Sequence, residues 1–146
     1  MKRLIGLFAI LLAFAASSIS AQDTRPYSEG TVSVITHVKI LDGQYDNYMA
    51  YLSKTYKPLM EAQAKAGNIV RWAVYDARPR NKHDADVYLV VVYQNMASFD
   101  GMYERMSPIQ REITGLTREQ SNQASADRGS MREIIGSEMI REVVLK

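Results

Sequence analysis

Residues 87–93 read Val-Tyr-Leu-Val-Val-Val-Tyr, apolar or aromatic at every position. A strand with one wet face would alternate between apolar and polar. A run apolar on both parities fits a strand covered on both faces, near the centre of a sheet. Asp86–Gln94 is therefore expected to be a central strand, and the rest of the chain must supply its neighbours and a covering layer.

Three other segments have strand character. Thr31–Leu41 alternates, with Val32, Val34, Val38 and Ile40 on one parity and Ser33, His37 and Lys39 on the other. Ile69–Ala77 is rich in β formers, including Trp72, Val74 and Tyr75. Ser137–Leu145 carries Met139, Ile140, Val143, Val144 and Leu145. Two helical regions separate them. Tyr45, Tyr48, Met49, Leu52, Tyr56, Leu59, Met60 and Gln63 recur at three- and four-residue spacing, with Asp42 placed to cap the helix. Pro58 predicts a kink or break there. Gly67-Asn68 is a C-terminal stop. From Ala97 onwards Phe99, Met102, Tyr103 and Met106 share a face, continued by Ile109, Ile113 and Leu116. Ser107-Pro108 reads as a helix start, and Thr117–Gln120 and Ser130–Glu133 both fit capping boxes. Gly136 is expected to end the helical stretch.

The order strand, helix, strand, strand, helices, strand predicts an α+β, ferredoxin-like βαββαβ domain over residues 31–146. Four strands form one antiparallel sheet with the helices on one face. The other face would carry Ile35, Leu89 or Val90, and Met139 or Ile140. An apolar sheet face of that kind is an association site, and a second copy is its simplest cover. A homodimer with apposed sheets, closing into a barrel, is the expected assembly.

Residues 1–21 read as an export signal: Lys2-Arg3, the apolar run Leu4–Ala16, then small residues to Ala21. The run is short of the roughly 20 apolar residues that span a bilayer. Removing 21 residues from 146 leaves 125, one ordinary domain, with 22–30 as a loose leader. Lys2 and Arg3 leave with the signal. That takes 18 basic against 16 acidic residues to an even 16 and 16. No basic footprint for nucleic acid survives. The chain has no cysteine, which excludes disulfides, thiolate sites and a lipid-anchored form. The expected product is periplasmic or secreted, with no membrane association after cleavage.

The segment His37-Val38-Lys39-Ile40-Leu41-Asp42-Gly43-Gln44-Tyr45-Asp46-Asn47-Tyr48 resembles the opening of dimeric α/β-barrel proteins. In those a first strand runs through a Gly-containing turn into a Tyr- or Phe-bearing helix. The resemblance covers most of the mature chain in element order. It implies the barrel-forming dimer, and it implies that a first-strand histidine such as His37 would act as an acid/base or orient a substrate. Cyclase-like members pair that histidine with a second one, whereas residues 97–136 contain none. Haem-degrading members carry an asparagine, tryptophan and histidine set; here Trp72 is present but the first strand has no asparagine.

With Val34 and Val38 facing the helices, His37 faces the barrel interior. Arg71 and Tyr75 lie opposite in parity to Trp72, so they line the same interior. Tyr88 and Tyr93 differ in parity, so only one of them faces it. Arg71 could hold an anion, or pair with Glu138 or Glu142. His83 sits in the polar turn Arg78–Asp84. Met102 and Met106 share a face with Phe99 and Tyr103 and read as core rather than as a copper site. No metal or organic cofactor is implied. The expected function is an exported homodimeric module binding a small, partly apolar ligand through His37, Arg71, Tyr75 and Tyr88, from a cavity between sheet and helices. The alternatives are a cofactor-independent monooxygenase or isomerase/cyclase using His37, and a purely structural dimer.

Overall fold

The computed structural model describes residues 25–146. Residues 1–21, read above as an export signal, and the start of the expected leader lie outside the described residues. Four strands, β1 (Tyr27–Ile40), β2 (Arg71–Asp76), β3 (Val87–Tyr93) and β4 (Arg132–Leu145), form one antiparallel sheet in the order β2-β3-β1-β4. This is the ferredoxin-like order, with β3 between β2 and β1, as its two-sided apolar run requires. The helices are α1 (Tyr45–Tyr51), α2 (Lys57–Lys65), α3 (Met102–Thr114) and α4 (Arg118–Asp127).

The core lies between the sheet and one helical layer. Val38 and Val87 are fully buried against Tyr48 and Leu52. Further along, Met60, Ile69 and Tyr93 pack with Val34, Trp72, Val91, Phe99, Met102 and Met106. The methionines of α3 are therefore core. Gln63, 1% exposed, donates to the Met106 carbonyl at 3.0 Å and accepts from the Asn68 amide at 2.7 Å, joining α2 to α3.

Pro58 does not break its helix. A π-helical segment, Leu52–Tyr56, links α1 to α2, and Pro58 sits in the first turn of α2. A widened turn accommodates a residue that has no N–H and crowds the carbonyl four residues back. α2 ends in a Schellman motif: Gly67, at φ 76°, donates to Ala64, and Asn68 donates to Gln63.

The structure moves several boundaries. Asp42 does not cap α1; the flanking residue is Gln44, whose N–H turns back to the Leu41 carbonyl. Ser107-Pro108 does not start a helix. Pro108 lies inside α3, where the carbonyls of Arg105 and Met106 find side-chain donors in Asn68 and Gln63. The Thr117–Gln120 capping box is present, in both directions, at 3.3 and 2.8 Å. The Ser130–Glu133 box is not: Arg132 and Glu133 are already strand, paired with Ile40 and Lys39. Gly136 lies within β4 rather than ending a helix, beside a bulge opposite His37/Val38. At the other end Tyr27–Gly30, expected as leader, belongs to β1 because Tyr27, Ser28 and Glu29 pair with Leu145, Val144 and Val143. β3 reaches no further than the Val32↔Tyr93 pair, so beyond it β1 and β4 continue as a two-stranded ribbon.

Candidate functional site

The register sorts side chains into rows on the face turned away from the helices. One row runs Gly136–His37–Tyr88–Tyr75 across all four strands. The next is Glu138–Ile35–Val90–Ala73, and the third is Ile140–Ser33–Val92–Arg71. The sequence-level choices resolve as Ile35, Val90 and Ile140 on this face. Leu89 packs with the helical core, and Tyr93 is core.

His37 is the centre of the polar row. Its Nε2 lies 3.2 Å from Glu138 Oε1, and its ring meets Tyr88 edge-on at 4.9 Å between centroids. The imidazole side chain is 31% exposed and the Glu138 carboxylate 55%. The imidazole is thus held by a carboxylate and an aromatic edge yet open to solvent. Gly136 leaves the space beside it clear; a Cβ there would stand 3.9 Å from the ring, an ordinary contact. At the near end of the same face Lys39 and Asp86 pair at 2.9 Å, and Asp86 also accepts from the Ile40 N–H.

All four sequence-predicted residues share this face, but they do not form one cluster. Tyr75 and Tyr88 are a cross-strand pair beside His37. Arg71 is four residues from Tyr75 on β2, about 13 Å at strand rise, and lies beside Val92 instead. It forms no ion pair among the described residues, and Glu138 and Glu142 are engaged by His37 and Thr31. Glu138 is the partner of His37 that sequence reasoning did not assign. Its signal was an acidic residue on the parity of Ile140. Among the described residues the space between sheet and helices holds the core rather than the expected cavity, and His37 faces the other way. Two concavities of the described chain lie between α3 and α4 and between α2 and α3. In the single chain the His37 row is an open platform.

The face is uneven. Val90 and Val92 at its centre are only 9% and 3% exposed. The open apolar surface lies on β4, where Ile134, Ile135, Met139, Ile140, Val143, Val144 and Leu145 are all exposed, Leu145 to 80%. Among the described residues no group of three or more His, Asp or Glu side chains is placed to hold a metal ion.

No family model matches the chain, and no curated protein matches it in sequence. Solved structures do match in fold. HapK from Hahella chejuensis superposes with a TM-score of 0.50 at 15% identity, covering 76% of this chain and 91% of its own. A dimeric ferredoxin-like protein from an uncultured marine organism gives 0.51 at 14% identity, covering 82% and 98%. At these identities the likeness establishes a ferredoxin-like α+β fold.

Proposed function

We propose that this ferredoxin-like chain is an exported homodimer whose two sheets face each other and enclose a small, partly apolar ligand beside His37. The observation that carries the reading is the row His37–Tyr88–Tyr75 on the face away from the helices, with the exposed Ile140 of β4 on the same face. A strand exposed on both faces at a sheet edge is a hazard for a lone chain and an asset for a paired one. The marine structural neighbour is itself described as dimeric. A second sheet laid over the platform would turn an open row of imidazole, phenols and carboxylate into a lined interior, the setting in which a few polar groups orient an apolar ligand. No cofactor is needed for binding of that kind. The signal at residues 1–21 supports a periplasmic or secreted site of action.

Light scattering of the chain beginning at Gln22 tests the assembly, with twice the single-chain mass expected at micromolar concentration; a monomer overturns the reading. Native mass spectrometry of protein taken from its own host then tests the ligand. A dimer carrying no added mass argues for the purely structural alternative.

One observation favours a catalytic version, the cofactor-independent monooxygenase or isomerase/cyclase. An imidazole oriented by a carboxylate is a common arrangement for moving protons. There His37→Ala abolishes turnover of the retained ligand while the dimer stays intact, and unchanged turnover excludes it.

A further inference from the structure

The helical stretch between β3 and β4 has no part in the sheet site, and α4 adds nothing to the core. None of its residues is buried, and its sequence Arg-Glu-Gln-Ser-Asn-Gln-Ala-Ser-Ala-Asp is polar on nearly every side. Such a helix is not held by an apolar stripe. What its placement creates is a cleft against α3, about 250 Å³ in volume. Two guanidiniums line it, Arg111 from α3 and Arg118 from α4, and no carboxylate does. Neither arginine forms an ion pair among the described residues. Arg118 lies 5.1 Å over the Tyr103 ring, so one charge is fixed across the cleft against the opposite helix. Ser107, Ser121 and Asn122 add neutral hydrogen-bonding groups to the lining. The neighbouring Glu119 is not among the lining residues. Its carboxyl is held below the ordinary range by its own backbone N–H and by Thr117, with a smaller contribution from Arg118.

We infer that this cleft binds a small organic anion bearing at least two carboxylate or phosphate groups. Two unneutralised guanidiniums in one concavity match two anionic groups, and planar guanidinium forks pair bidentately with either chemistry. The volume, on the order of eight waters, suits one short chain or one ring. The site is separate from the His37 platform and does not depend on the dimer.

The test is an amide-resolved NMR titration of the protein beginning at Gln22, at constant ionic strength, with citrate and separately with inorganic phosphate. Saturable shifts confined to residues 103–122 are expected, at a Kd of about 1 mM or tighter. Arg111→Gln and Arg118→Gln should each weaken the binding about tenfold. Tighter citrate assigns a polycarboxylate ligand, and tighter phosphate assigns an organic ligand whose anionic groups are phosphates. Arg111→Gln leaves the Tyr103 stacking untouched and so keeps the test independent of local folding. Absence of saturable shifts with both probes, or affinity in both variants unchanged from the unsubstituted protein, overturns the inference.

Discussion

Gln63 shows how much one interior polar side chain can hold. It is 1% exposed, and both ends of its amide are used, one on the Met106 carbonyl and the other on Asn68. Gln63→Ala would leave the Met106 carbonyl and the Asn68 amide without their partner and open a void, costing about 3 kcal/mol. Urea denaturation of the variant checks this, and a loss below about 1 kcal/mol would contradict it. The buried tyrosines make a second residue-scale prediction. Burial raises the phenols of Tyr48, Tyr56 and Tyr93 above the ordinary 10.0, Tyr56 most strongly, with Arg132 partly offsetting the effect at Tyr48. The unfolded chain releases those protons through pH 10 while the folded chain keeps them. Stability is thus fully present below that pH and falls as pH rises above it. In an alkaline titration of tyrosinate absorbance, Tyr48, Tyr56 and Tyr93 should ionise above 10.0, as should Tyr45 through its hydrogen bond to Asp76. A single step near pH 10 with the fold intact would refute this. Residue positions were only partly legible in advance. Alternation has a period of two, so it places His37, Tyr88, Tyr75 and Arg71 on one face but says nothing about rows. Rows depend on register, and register put Arg71 two rows away.

Among the elements, the ribbon formed by the start of β1 and the end of β4 is the least supported. A two-stranded ribbon alone is marginal in water. Here Thr31 donates to Glu142 at 3.2 Å, and Glu29 pairs with Arg141 at 2.9 Å. Gly30 is required within it: a Cβ there would stand 2.8–3.0 Å from the Glu142 side chain. Gly30→Ala should push Glu142 aside and cost about 1–2 kcal/mol. Its hydrogen-exchange signature is faster exchange at 27–31 and 142–145, with the amides of β3 unchanged; uniform exchange would deny the ribbon its separate identity. The β4 side of this element was read as strand, but its β1 side was hidden because Gly30 and the polar Ser28-Glu29 look like leader. The start of β4 fitted a capping pattern at Ser130–Glu133, since polar residues at that spacing suit more than one backbone. Ser107-Pro108 misled for a related reason. Pro108 instead lies inside α3, close to the Arg105 and Met106 carbonyls that accept from Asn68 and Gln63, and no local pattern carries that tertiary contact.

At the scale of the whole molecule, the open apolar surface is concentrated on one edge strand, and the proposed assembly stands or falls there. Ile140 is 48% exposed on the platform face and distant from the core. Ile140→Arg should convert the dimer to a monomer, weakening association by at least a hundredfold, with little change in helix and sheet content. Light scattering and circular dichroism of the variant together decide it, and a persistent dimer would place the interface elsewhere. The overall architecture was the most legible level, because a strand apolar on both parities admits only a central position and element order then leaves few topologies. The pairing of β1 with β4 has one further consequence, and it concerns time. Tyr27 finds its partner in Leu145, more than a hundred residues later. The sheet cannot close during synthesis until β4 has been made, and loop closure over that span is slow. Until then β1 is paired on one side alone, by β3, and its first residues, Tyr27–Glu29, wait for the last strand to be made.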